Sequence, residues 1–184
     1  MHFVFNLEKT IQAAAEFMRR EPGKQMSYLR LIKLLYIADR ECLKEKGRPV
    51  TGDSIVAMKN GPVLSHFYDI IKGEHVESPR FNKFFDLRGY KVILAKDPGN
   101  DLLNRFELRK LHQISDHYAG KDEWEIVEET HQFPEWKKNN PGESSRPIPL
   151  QDLLAAVGYD KKRIKAVFKD AEQIKKLHAL FPVP

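Results

Sequence analysis

The residues of this 184-residue chain that could do chemistry are seven histidines, one cysteine, a few serines in turns, and carboxylates near one glycine-containing turn. A metal site is the first possibility to test. His112 and His117 stand five apart, on different faces of a helix, whereas a two-histidine helical site needs a spacing of four. His112 and Asp116 do share a face, but such a pair is half a ligand set and reads as a surface hydrogen bond. His2, His66, His75, His131 and His178 are scattered and no Cys-x-x-Cys occurs, so no metal is expected. Cys42 lies in the second half of a long helical stretch, where a buried thiol behaves as a small apolar residue. Ser65 follows Gly61-Pro62-Val63-Leu64, which is not a Gly-x-Ser-x-Gly elbow, and Ser144-Ser145 have no identifiable base. No phosphate-cradling Gly-x-Gly-x-x-Gly or Gly-x-x-x-x-Gly-Lys-Ser/Thr is present, so no cofactor is expected. Asp39 and Asp53 remain, flanking Gly47-Arg48-Pro49-Val50-Thr51-Gly52. Two converging carboxylates would suit hydrolysis. The alternative is structural: Asp39 neutralises Arg40, Arg48 or Lys33, and Asp53 accepts backbone N–H groups in its turn. The sequence favours the structural alternative, and no catalytic residue is assigned.

The length suits one domain over residues 1–184, with a core and little left for a second. Apolar residues make up 41 % and charged residues 31 %, an ordinary soluble composition. No apolar run nears the ~20 residues that cross a bilayer, and Met1–Thr10 lacks the pattern of a secretory signal. With a single cysteine this points to a cytoplasmic protein without a membrane partner. The net charge of +5 is modest and mostly interleaved, so nucleic acid is not the expected partner. The nearest candidate footprint is Lys161, Lys162, Arg163, Lys165 and Lys169 on a late amphipathic helix whose polar face also holds Glu172.

Helical spacing predicts the scaffold. Asn6 caps a helix to about Arg20, with Leu7, Ile11, Ala14 and Met18 on one face. Ser27 caps a second helix, apolar almost all round from Tyr28 to Ala38 and therefore central. Arg30 and Lys33 must reach its rim or find partners. Ser54 to Met58 reads as a strand, and Gly61-Pro62 as the start of a third helix that stops at Gly73. Lys83–Leu87 and Tyr90–Ala95 form a hairpin, which with Ser54–Met58 would make a three-stranded sheet. Helices follow from Asp101 to about Tyr118, from Asp122 through Thr130, from Pro149 or Leu150 to about Val157, and from Asp160 onward along Ile164, Val167, Ala171, Ile174 and Phe181. Residues 132–148, with four prolines in or beside them, read as a long polar loop. The fold class expected is mostly α (α+β): one helical domain around a central apolar helix, with a small antiparallel sheet.

One stretch is distinctive as a pattern. Lys33-Leu34-Leu35-Tyr36 and Ala38-Asp39 are followed by Gly47, Thr51-Gly52-Asp53, Val56-Ala57, Gly61-Pro62-Val63 and Tyr68. Weaker pieces are Thr130-His131 with Pro134 and Trp136, and Ile148-Pro149. In order and spacing this resembles the Panacea (SocA-like) antitoxin family of bacteria and their phages, over about Phe5 to Val157.

The resemblance implies a non-enzymatic antitoxin. Its partner would be a cognate toxin protein neutralised by direct contact, or a toxin delivered to a protease if the chain is an adaptor. A regulator binding DNA or RNA through the late basic helix is a third reading. Leu34, Leu35, Ala38 and Ala57 read as core. Lys33, Asp39 and Asp53 are expected to form an internal polar network. Lys59, Asn60, Tyr68, His131 and Trp136 are the expected partner contacts, Trp136 because tryptophan is enriched at binding hot spots.

Overall fold

The computed structural model describes residues 3–140 and 142–180; His2, Pro141 and Phe181, and the side chain of His178, lie outside the described residues. Helix α1 (Leu7–Arg19) starts where the Asn6 side chain accepts from the Lys9 N–H. A 3-10 turn (Pro22–Lys24) leads into β1 (Gln25–Ser27), whose last residue caps α2 (Tyr28–Lys46). Helix α2 is buried from Arg30 through Asp39 and packs on α1 and on elements from every later part of the chain, so it is the core's axis. Gly47 ends it in the left-handed region at φ +68, a conformation open to glycine without strain. The two cations of its apolar stretch find partners within the fold. Arg30 pairs with Glu21 at 2.5 Å and donates to the Tyr118 and Lys121 carbonyls.

The strand after α2 is β2 (Ile55–Met58). Gly61-Pro62 does not open a helix. Gly61–Leu64 is strand β3, antiparallel to β2 across the two-residue turn Lys59-Asn60, and α3 begins only at Ser65 (Ser65–Lys72). Proline is accepted there because β3 is the sheet's edge, where a missing N–H removes nothing from the ladder. After the short α4 (Ser78–Phe81) come β4 (Phe85–Arg88) and β5 (Lys91–Leu94), the expected hairpin. It does not join β2. One sheet runs β1-β5-β4 and the other β3-β2-β6, because β2 is already paired on both sides and β1 supplies β5 with its partner.

Helix α5 (Arg105–His117) and α6 (Glu123–His131) both start with complete capping boxes, from Asn104 and Asp122. The expected loop at 132–148 is partly structured. Pro134 opens α7 (Pro134–Lys138), where its lack of an N–H is harmless, and Arg146–Pro147 is β6. Helix α8 (Leu150–Ala156) and α9 (Lys161–Leu180) complete the chain. This is a mostly helical α+β fold. Among the described residues no helix is long and apolar enough to cross a membrane.

Candidate functional site

Asp39 and Asp53 are sealed in the fold and committed to backbone. The buried Asp39 accepts from the Val50 and Thr51 N–H groups at 2.8 and 2.9 Å and from the Thr51 hydroxyl, pinning the turn after α2. Burial pushes its carboxyl up to about 7, against the pull of those three donors. Asp53 accepts from the His66 and Phe67 N–H groups at 3.1 and 2.9 Å. Those are orphan donors in the first turn of α3, whose own N-cap, Leu64, has no side-chain acceptor to offer, so Asp53 caps the helix from a distance. Its carboxylate also meets His66 Nδ1 at 2.7 Å. Thr51 Oγ1, which donates to the Asp39 carboxylate, also accepts from the Asp53 backbone N–H at 3.1 Å and so ties the two segments together. Asp39 and Asp53 therefore belong to one polar cluster, with their carboxylate oxygens taken up by backbone N–H groups, the Thr51 hydroxyl and the half-exposed His66 ring.

Lys33 stands apart from that cluster. It is 0 % exposed, and its Nζ donates to the Pro62 carbonyl at 2.7 Å. Burial lowers its pKa to about 7. Gly61 makes room for it: a Cβ there would lie 2.7 Å from Lys33 Nζ and 2.7 Å from Thr130 Oγ1, on backbone at φ +89. Cys42 is buried and its thiol is pushed well up by burial and by Asp39, the opposite of an activated nucleophile. His112 and Asp116 do not pair with each other; His112 faces Glu16 at 3.2 Å and Asp116 faces Arg20. Among the described residues no group of three or more His, Cys, Asp or Glu could hold a metal.

The β2–β3 turn is the exposed part of this region, and it is braced from behind. Trp136 is 9 % exposed, so it is a packing residue rather than a surface anchor. Its indole N–H donates to the Met58 carbonyl at 3.1 Å. His131 stacks on that indole at 4.2 Å, and its Nε2 lies 3.1 Å from the Lys59 carbonyl. Burial first, and Lys33 among nearby charges, lower the His131 pKa, so a neutral ring donating to that carbonyl fits the geometry. Tyr36 and Arg40 of α2 hold α7 in turn, donating to Glu135 Oε1 at 2.6 and 2.7 Å.

The turn forms one wall of a cleft of about 730 Å³. Lys59, Asn60 and Tyr68 line it, together with Met58, Val63 and three aromatic residues absent from the expected contacts: Tyr28, Tyr90 and Trp124. Tyr90 is 77 % exposed and Trp124 56 % exposed. Tyr28 starts α2 and its ring lies 6.0 Å from that of Tyr90, whose carbonyl accepts the Tyr28 N–H at 2.9 Å. Trp124 projects from α6 because Ile126, Val127 and Thr130 already occupy the helix's inward face. A tryptophan off its helix's apolar stripe was a signal available in the sequence. Tyr28 was hidden within an apolar run, and Tyr90 within a hairpin turn. Lys59 is paired with Glu143 at 3.0 Å across the cleft's rim. The cleft thus joins a wide aromatic lining to a mixed-charge edge, the makeup of a protein-binding surface.

No curated protein and no solved structure gives a significant match to the chain. A family model does match, that of "Antitoxin SocA-like, Panacea domain", over residues 31–137. The matched stretch contains Lys33, Asp39, Asp53, the braced β2–β3 turn, Trp124 and the bracing residues His131 and Trp136. With more than half of its length so matched, the chain belongs to the SocA-like antitoxin family and carries its Panacea domain.

Proposed function

We propose that this antitoxin-family protein neutralises a toxin by direct protein contact through the aromatic cleft, without catalysis. The observation that supports this reading most is the pair of large, exposed aromatic rings, Trp124 and Tyr90, at the mouth of a cleft built on the family-matched turn. Rings so exposed contribute little to folding and much to an interface that desolvates them. Lys59, Asn60 and Tyr68 contact the toxin in this reading, while His131 and Trp136 position the turn. Residues 1–184 act as one domain. Lys33, Asp39 and Asp53 serve the fold.

The toxin is to be sought as the product of a neighbouring reading frame that cannot be maintained without this gene. With that protein in hand, Trp124→Ala and Tyr90→Ala should each weaken binding by about 2 kcal/mol, some thirtyfold. Calorimetry measures the binding, and restored toxin activity reports the loss of neutralisation. Toxin binding and neutralisation unchanged in both variants would exclude the cleft. Binding without inhibition would favour delivery to a protease instead.

A further inference from the structure

The charge of the chain is not spread as its modest average suggests. Between Lys161 and Leu180 stand seven Lys or Arg against two Asp or Glu, a net of +5. The whole chain has 31 against 26, also +5, so all remaining residues balance to zero. The basic excess of the protein belongs to α9 alone.

Helix α9 turns one face inward through Ile164, Val167 and Ala171, which are buried. Lys162, Lys165, Lys169 and Lys176 are all exposed. At 3.6 residues per turn they fall within an arc of about 60° on the opposite side, a stripe about 21 Å long. Lys161, Arg163 and Lys175 flank it, also exposed. Glu172 meets Lys176 at 3.1 Å, and Asp170 meets Arg48 of the turn after α2 at 3.8 Å, which brings a further guanidinium alongside.

The composition of the stripe selects its partner. Lysine is depleted at the centres of protein–protein interfaces, and between Lys162 and Lys176 this face carries no large apolar or aromatic side chain to anchor a protein or stack a base, Ala166 at its edge being too small for either. A membrane-surface helix needs a free apolar face, and the one on α9 is spent largely on the core, with Leu177 and Leu180 its exposed large apolar side chains among the described residues. Point charges on a straight helix suit a polyphosphate backbone. The major groove of B-form DNA admits such a helix, whereas that of A-form RNA does not.

We propose that α9 is a double-stranded DNA contact, made to the phosphate backbone and not to a particular sequence. The helix lies outside residues 31–137, so family membership does not supply this inference. It also lies away from the cleft. Val167 packs where a Cβ on Gly47 would lie 3.2 Å away, and Tyr159, just before α9, donates to the Leu43 carbonyl at 2.9 Å. Both contacts are at the C-terminal end of α2, while Tyr28, at its first residue, lines the cleft. The cleft and the base of α9 lie at opposite ends of the central helix.

Fluorescence anisotropy of the full chain with a labelled 24-base-pair DNA duplex of arbitrary sequence tests the proposal. Four phosphate contacts give a slope of log K on log[KCl] of about −3.6, so affinity should fall about 150-fold between 50 and 200 mM KCl. Replacing Lys162, Lys165, Lys169 and Lys176 with Gln should remove most of that slope and weaken binding at 50 mM KCl at least tenfold. The same change at the exposed Lys72, Lys83, Lys91 and Lys96 should leave both nearly unchanged. Thermal melts confirm that both variants fold. Three results overturn the proposal: no binding at 50 mM KCl, binding indifferent to the stripe, or stripe-dependent binding to phosphatidylserine vesicles with none to DNA.

Discussion

Lys33 holds its ammonium 2.7 Å from the Pro62 carbonyl, sealed from water, with its pKa lowered to about 7 by burial. A lysine in the unfolded chain titrates near 10.4. Between about pH 7 and pH 10 the unfolded state therefore binds more protons than the native one, and stability rises with pH across that window. Below pH 7 both states are charged, and the desolvation cost is borne in full. Lys33→Met, of similar volume and uncharged, removes this dependence. The variant's stability relative to wild type should be about 2–3 kcal/mol more favourable at pH 6 than at pH 9, as read by urea unfolding. An equal difference at both pH values would mean that Lys33 does not titrate in the folded protein near neutrality. The same residue shows how much was legible. Lys33 and Asp39 were expected in one network, but six residues on a helix turn through about 600°, which places them on different sides. Helical spacing alone separates them. The partner Lys33 does find, a carbonyl on an edge strand, depends on tertiary packing that no local spacing encodes.

The β2–β3 hairpin is where local reading and outcome diverge most among the elements. Gly-Pro reads as a helix opening, and the short apolar run after it fits helix or strand equally. The decision is made by β2, whose Met58 and Val56 pair with Gly61 and Val63. Residues 132–148 were misread for a related reason, because Pro134 stands at the first position of α7, the one helical site where proline is at home. Helix α7 brings Trp136 to the Met58 carbonyl and so fixes the turn. Trp136→Phe keeps an aromatic ring there and deletes the donor, leaving that carbonyl short of a partner. It should lose about 1–3 kcal/mol of stability, including some packing, as measured by urea unfolding. Toxin affinity should fall less than in Trp124→Ala, since Trp136 acts through the turn and Trp124 through contact. The reverse ranking would make Trp136 the anchor. Helices α1, α2, α6 and α9 are legible, because Asn6, Ser27, Asp122 and Asp160 cap where their side chains suggest.

At the scale of the molecule, α2 sets a distance. Its 19 residues span about 28 Å, with the aromatic cleft at one end and the base of α9 at the other. The cleft could not be read from the sequence because its walls come from residues near 28, 60, 68, 90, 124 and 144, which only the assembled fold brings together. The charge of α9 was readable, but an average over the chain dilutes it. At 0.15 M salt the Debye length is about 8 Å, well below the length of α2 that separates the cleft from the base of α9, so the lysines there exert little field at the cleft. The surfaces share no lining residue, and α2 between them is one continuous helix with a buried middle. Toxin and DNA should therefore bind together and without coupling. The four-lysine variant should keep wild-type toxin affinity, Trp124→Ala should keep wild-type DNA affinity, and the combined protein should show both losses, each within about 0.5 kcal/mol of its single value. Saturating toxin should leave DNA affinity at 100 mM KCl unchanged. A toxin-dependent shift with both single-surface variants intact would show that the toxin reaches α9 or bears charge of its own beside the DNA. A loss of toxin binding in the lysine variant would place the toxin on α9 itself.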